Sequence, residues 1–311
     1  MMNATREPTI AVLVPCYNEA VTIEAVVRDF RKYLPQATIY VYDNNSKDGT
    51  AEIAAAAGAV VRTELRQGKG HVMRRMFADI DADIYVMVDG DNTYDAASAP
   101  ALVAKLREGP LDLVNGARVD TAVAAYRPGH RFGNWLLTSL VTNIFGTASK
   151  DMLSGYKAMS KRFVKSFPAL STGFEIETEL LVHALELNLP AGEIETPYQE
   201  RPVGSESKLR TFHDGARILR LIARQVKEER PLMAFSGFAA VLALISIGVF
   251  IPVLLDYYRT GLVLRFPTAI LSLGLMLAAM MSFFSGLVLD TVTRGRRELK
   301  RLRYLAYDSV P

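Results

Sequence analysis

The chain has 311 residues, half of them hydrophobic, enough to bury a sizeable core in one domain and leave material for a second element. Its net charge of +3 hides a division: residues 1–207 carry 21 Lys and Arg against 26 Asp and Glu, whereas residues 208–311 carry 15 against 7. The basic part is also the apolar part, which points to anionic lipid head groups rather than nucleic acid, and the single cysteine, Cys16, excludes an internal disulfide and a cysteine-built metal cluster.

A lone cysteine fits a reducing cytoplasm, and no basic segment precedes the first apolar run, so no signal peptide is expected. That run, Ile10-Ala11-Val12-Leu13-Val14, has the length and β-branching of a buried strand. Pro15 breaks it, Tyr17-Asn18-Glu19 follows, and an amphipathic helix is predicted over 20–33. A second strand over 38–42 ends at Asp43 and runs into the turn-rich Asn44-Asn45-Ser46-Lys47-Asp48-Gly49, then an alanine-rich helix closed by Gly58. A short strand over 60–63 comes next, and Gln67-Gly68-Lys69-Gly70 opens another helix. The fourth strand is predicted over 84–91, a β-branched run that stops on Asp89-Gly90-Asp91. Strands alternating with helices in this way imply a mostly parallel, doubly wound sheet.

Two carboxylates one residue apart, with a glycine between them, can face one hard cation such as Mg²⁺ or Mn²⁺ together with substrate phosphates. Asp-Gly is equally common turn chemistry after a strand. No Gly-x-Gly-x-x-Gly follows the first strand, and Gly68-Lys69-Gly70 lacks the remaining residues of a P-loop. A nucleotide would therefore be held by carboxylates and a cation, with Asp43 placed at the tip of strand two for a ribose or base.

Beyond residue 113 the pattern changes. Val114-Asn115-Gly116-Ala117-Arg118 reads as an edge strand, 131–145 as an apolar helix with a basic start, and 152–159 as a strand or turn around Gly155. A helix over 174–187 carries Glu175, Glu177 and Glu179, and a strand covers 193–199. Arg118, Arg127, Arg131 and Arg201 supply guanidinium forks suited to phosphate oxygens. Residues 212–230 place Ile218, Leu219, Ile222 and Val226 on one stripe and basic side chains elsewhere, the pattern of an interfacial helix. Residues 232–255 and 268–289 are uncharged and long enough to cross a bilayer core of about 30 Å. Basic residues crowd both outer flanks, while the connecting loop has only Arg259 and Arg265, so both termini are expected in the cytoplasm.

Taken in order, Val14-Pro15-Cys16-Tyr17-Asn18-Glu19, the 43–50 turn, Gln67-Gly68-Lys69-Gly70 and Asp89-Gly90-Asp91 resemble a family 2 glycosyltransferase of GT-A fold. Ser154-Gly155-Tyr156-Lys157-Ala158-Met159, Gly204-Ser205-Glu206-Ser207-Lys208-Leu209 and the two terminal spans resemble its polyprenyl-phosphate branch, which includes dolichyl-phosphate mannose synthases. The expected architecture is an α/β GT-A domain over 1–207, an amphipathic juxtamembrane helix over 208–230, a transmembrane hairpin over 231–291 and a basic cytoplasmic tail over 292–311.

The resemblance implies inverting transfer of a sugar from a UDP- or GDP-sugar to a polyprenyl phosphate at the cytoplasmic membrane face. It assigns Pro15, Tyr17, Glu19 and Asp43 to the nucleoside, Asp89 and Asp91 to the metal, and Lys69 to the neighbourhood of the donor. Arg118, Arg131 and Arg201 match positions around the phosphates, with Lys208 as a companion. Where many relatives have a glutamine as a further metal ligand this chain has Thr93, leaving Asn92, Thr93 or water to complete the shell. An anionic acceptor oxygen needs no strong base, so His71, His130, His183 and His213 are expected to be structural or at the surface. A processive polysaccharide synthase, a soluble nucleotidyltransferase and a non-catalytic membrane scaffold are the rivals, and homo-oligomerisation through the spans is compatible with the sequence.

Overall fold

The computed structural model describes residues 6–120, 151, 153–199, 201–202 and 230–310. Arg127, Arg131 and the helix expected over 131–145, Lys208 and the interfacial helix expected over 212–230 lie outside the described residues. The chain divides into two compact units, the described residues of Met1–Ile218 with Lys300–Pro311, and those of Leu219–Leu299.

The first unit is built on a seven-stranded sheet: β1 (Ile10–Cys16), β2 (Ala37–Asp43), β3 (Val60–Thr63), β4 (Ile84–Met87), β5 (Leu113–Asp120), β6 (Lys157–Ser160) and β7 (Ala191–Tyr198). Their spatial order is β3-β2-β1-β4-β6-β5-β7, and β6 is the reversed strand, antiparallel to both β4 and β5. This is the mostly parallel sheet read from the alternating strands and helices. Two expectations need correction. β5 is interior, because its free hydrogen-bonding edge is taken by β7, with which it pairs in parallel over all eight residues; β7 takes the edge instead. β4 stops at Met87, not at residue 91, because β1 has no partner to offer beyond Leu13.

The reason lies in Pro15. Leu13 accepts from Val88 N–H at 3.0 Å on the β4 side, and Cys16 accepts from Asn44 N–H at 2.9 Å on the β2 side. Pro15 therefore faces β4, where its missing N–H breaks the ladder. The acids beyond Val88 thus sit on a loop at the carboxyl edge. Gly90 is pressed against the end of β1, and a Cβ there would fall 2.7 Å from Cys16 Sγ.

Helices α1 (Ile23–Tyr33), α2 (Thr50–Ala56), α3 (Lys69–Asp79), α4 (Ala99–Glu108), α5 (Lys161–Ser166) and α6 (Ile176–Glu186) cover the sheet. In α1, Ile23, Val26, Val27 and Phe30 are buried, the i, i+3, i+4, i+7 stripe of an amphipathic helix. α4 and α5 were not anticipated. Their apolar positions are short runs whose helical state is decided by packing onto β4 to β7.

His183 of α6 is buried between the rings of Phe163 and Phe167, at 5.3 and 5.4 Å, with Ser166 Oγ 3.1 Å from Nε2. Burial, helped by the charge of Lys300, pushes its pKa down from 6.5 to about 3. Below the ordinary histidine pKa the unfolded chain gains a proton that the folded chain refuses, so stability present above that pH is lost as the pH falls toward the folded value. That loss is about 2 kcal/mol at pH 5. Replacing His183 by Gln should flatten the decline of the thermal midpoint between about pH 7 and pH 5. An unaltered slope would assign the acid sensitivity elsewhere.

The C-terminal residues of the first unit close onto the amino edge of the sheet. The fully buried Asp112 carboxylate accepts from Tyr304 O–H at 2.7 Å, Ser160 O–H at 2.7 Å and Arg162 Nε at 2.6 Å. Lys300 donates to Glu186 at 2.6 Å.

The second unit is a helical hairpin from α7 (Pro231–Thr260) and the part of α8 (Phe266–Leu305) up to Leu299. Both helices are long and apolar enough to cross a membrane. The buried positions of α7 include Ala239, Ser246 and Val253, and those of α8 are Ser272, Ala279, Gly286 and Thr293. Each set repeats every seventh residue with small side chains, so the backbones approach as in a coiled-coil seam. Ser246 Oγ donates to Ser272 O at 2.7 Å, and a Cβ on Gly286 would fall 2.8 Å from that of Phe235. The large side chains point outward, Leu244 and Met281 being 69% and 71% exposed.

Candidate active site

The first unit has a cavity of about 570 Å³ at the carboxyl edge of β1, β2 and β4. β1 lies between β2 and β4, so this edge is the point where strand order reverses and open α/β sheets leave a crevice. Its lining includes Pro15, Tyr17, Glu19, Lys69, Asp89, Asp91 and Arg201, seven of the residues singled out from the sequence.

Each wall is fixed from below. Thr22 Oγ1 donates to Gly90 O at 2.7 Å, tying the acid-bearing loop to the start of α1. Glu19 N–H donates to Thr50 Oγ1 at 2.9 Å and Asn18 N–H to Ser46 Oγ at 2.8 Å, joining the loops after β1 and β2. Asn44 takes Gly68 N–H on its Oδ1 at 2.7 Å and gives its amide to Glu64 O and Arg66 O, so the turn before α3 is held to β2. Gly68 has φ +133°, and Cβ atoms on Gly68 and Gly70 would collide with the backbone of Thr172 and Ser171. Glycine at these positions lets the loop 170–174 close over the start of α3. Glu179 accepts the N–H groups of Leu170 and Ser171 at 2.9 and 2.8 Å and holds that loop.

The two acids are each engaged by a cation. Asp89 is bonded by Lys69, whose ammonium also donates to Glu177 Oε1 at 2.5 Å. Asp91 pairs with Arg201 at 2.5 Å and accepts from Thr93 Oγ1 at 2.6 Å. Burial and the neighbouring Asp89 push the Asp91 carboxyl up, against the pull of Arg201. Burial alone would push Lys69 down, but Asp89 and Glu177 more than offset it and hold its ammonium above the ordinary value. Thr93 is 1% exposed and turned onto Asp91, which leaves it poorly placed as a ligand.

Asp89 and Asp91 offer hard carboxylate oxygens, and among the described residues no third His, Cys, Asp or Glu joins them. That donor set fits Mg²⁺ or Mn²⁺, which take one or two carboxylates and fill the remaining positions with phosphate and water oxygens. It also brings two like charges together where a divalent cation would relieve their repulsion.

Two predicted residues stand off the cavity lining. Arg118 turns to Asp151, donating from Nε at 2.6 Å and Nη2 at 2.8 Å, and its guanidinium lies 5.4 Å from the centre of the Tyr198 ring. Asp43 is buried behind Asn44, where its Oδ2 accepts from Ser46 N–H at 3.1 Å and its Oδ1 has no hydrogen-bond partner among the described residues. Arg131 and Lys208 lie outside the described residues. Sequence reasoning missed Asn44, Gln67, Phe174 and the polar role of the 175–179 acids. The alternation Glu175, Glu177, Glu179 was visible, but which of them turns inward depends on where α6 begins.

Among known proteins, the model of the family described as glycosyl transferase family 2 matches residues 11–167. Glycosyltransferase AglJ of Haloferax volcanii is 33% identical, over 78% of this chain and 80% of its own. The dolichyl-phosphate hexose transferase of the same organism is 28% identical, over 71% and 95%. Among solved structures, glucosyl-3-phosphoglycerate synthase from Mycobacterium tuberculosis, in complex with Mn²⁺, UDP and glucosyl-3-phosphoglycerate, superposes with a TM-score of 0.59 at 24% identity. That match covers 71% of this chain and 80% of that one.

Proposed function

The chain belongs to glycosyl transferase family 2, and from that premise we propose that it transfers a sugar, with inversion, from a UDP- or GDP-sugar to a polyprenyl phosphate. One observation carries the reading. Two acids and two cations, Asp89 with Lys69 and Asp91 with Arg201, surround one cavity at the switch point of the sheet, the charge order that a metal-bound diphosphate requires.

Pro15, Tyr17 and Glu19 form the wall for the nucleoside, and Asp43 stiffens it from behind through Ser46 N–H. Asp89 and Asp91 would hold Mg²⁺ or Mn²⁺, which when bound supplies positive charge against the departing diphosphate. Lys69 and Arg201 add cationic side chains on the same lining, placed to meet phosphate oxygens. An oxygen of the acceptor phosphate attacks the anomeric carbon, the bond from that carbon to the diphosphate breaks, and the nucleoside diphosphate leaves with the electron pair. The attacking oxygen is already anionic at neutral pH, so no side chain has to remove a proton. Arg118 stands off the lining, paired with Asp151, and Arg131 and Lys208 are assigned to the acceptor phosphate.

The acceptor class is supported by the dolichyl-phosphate hexose transferase relative and by the hairpin. A polyprenyl tail leaves the bilayer at about 0.8 kcal/mol per CH₂, so an enzyme acting on it belongs at the membrane. Residues 1–207 form the catalytic part, 208–230 the juxtamembrane link and 231–291 the anchor, with both termini and the tail over 292–311 cytoplasmic. A soluble phosphate ester is the alternative acceptor, because the solved neighbour carries glucosyl-3-phosphoglycerate.

Radiolabelled UDP- and GDP-sugars incubated with undecaprenyl phosphate in detergent and, in parallel, with phosphoglycerate, each with Mn²⁺ or a chelator, separate the two. Lipid-extractable label that depends on the metal is expected. Label transferred to phosphoglycerate and none to lipid would overturn the acceptor assignment.

A further inference from the structure

Acidic and basic side chains alternate from the cavity back into the core: Asp89, Lys69, Glu177 and Lys157. The Lys69 ammonium bonds Asp89 and Glu177 at once, with both Lys69 and Glu177 side chains under a tenth exposed, at 7% and 8%. Lys157, fully buried on β6, donates to Asn115 Oδ1 at 2.5 Å and acts electrostatically on Glu177. Lys69 is also the first residue of α3, where the helix dipole disfavours a cation, whereas Glu177 lies in the first turn of α6, where it favours an anion. A buried lysine at a helix N-terminus therefore depends on its carboxylates.

Catalysis needs one of those carboxylates for something else. Once Asp89 serves a divalent cation, its charge is shared and Lys69 loses much of that partner. A buried ammonium left without a counter-charge is strongly destabilising. We infer that Glu177 is a positioning residue that retains the Lys69 ammonium while Asp89 is given over to the metal, so that the site can be loaded without stranding a buried charge. Glu177 does not touch the donor; it acts through Lys69. The inference rests on the divalent-cation reading of Asp89 and Asp91.

Mn²⁺ binding to the purified full chain in detergent, in the presence of UDP, tests it by paramagnetic resonance titration without reference to turnover. In Glu177→Gln the cation must take Asp89 from a lysine that has no other carboxylate, and binding should weaken by about ten- to a hundredfold. Lys69→Met removes the competitor together with a cation placed to meet the UDP phosphates, so its own affinity, not that of wild type, is the reference for the double variant. The double variant Lys69→Met/Glu177→Gln should return to within about threefold of Lys69→Met, a rescue that damage to α6 packing cannot produce. Wild-type affinity in Glu177→Gln, or a double variant that loses as much relative to Lys69→Met as Glu177→Gln loses relative to wild type, would overturn the inference alone. A wild-type chain that binds no Mn²⁺ with UDP would overturn the metal reading and this inference with it.

Discussion

Replacing Asp91 by Asn should lower sugar transfer by about a thousandfold while the chain stays folded. Asn retains an oxygen for Thr93 N–H and Oγ1, which Asp91 Oδ1 now accepts at 3.2 and 2.6 Å, so the loop after β4 keeps its local bonds. What disappears is the charge. Half of the carboxylate pair that would hold the metal is gone, and Arg201 faces an amide in place of an anion. Arg201 is 27% exposed and can turn to water, which limits the stability loss to about 1 kcal/mol. Turnover of the nucleotide sugar with Mn²⁺ and the thermal midpoint should be read on the same preparation. A variant within tenfold of wild type, or a wild-type enzyme indifferent to chelator, would remove the acids from the reaction.

The second large effect lies at the opposite edge of the sheet. Asp112→Ala should cost about 3–5 kcal/mol of stability, because it strips the counter-charge from Arg162 and leaves the hydroxyls of Ser160 and Tyr304 without their acceptor. Tyr304→Phe removes one of those bonds and should cost about 1 kcal/mol. Because Asp112 stands before β5 and the cavity lies at the strands' other ends, the variant's turnover should match wild type well below its unfolding temperature. Limited proteolysis should show the 300–310 segment released. Denaturant unfolding of Asp112→Ala within about 1 kcal/mol of wild type would show that this buried carboxylate is not what holds the C-terminal segment.

Much of the site could be read in the sequence because its residues fall at strand ends. Asp43 ends β2, Pro15 interrupts β1, and Asp89 and Asp91 follow β4, so apolar periodicity alone put them on one edge. Arg118 shows where that reasoning stops. Its strand was located, but its partner Asp151 is 33 residues away, and nothing local says whether a guanidinium meets a ligand or a carboxylate of its own chain. The same holds for β5 itself, whose polar residues read as an exposed edge until β7 is seen to cover it.

The sequence by itself determined the alternating strands and helices, the two acids that follow the fourth strand and two apolar stretches of bilayer length, since each depends on the period and chemistry of neighbouring residues. Tertiary structure alone decided that β6 runs against its neighbours, that Lys69 is shared by Asp89 and Glu177, and that Asp112 gathers groups from α5, β6 and the C-terminal helix. The last two outcomes are set by buried charges finding partners far along the chain, where an unpaired group would be too unfavourable to keep, and no local pattern encodes which partner closes the account.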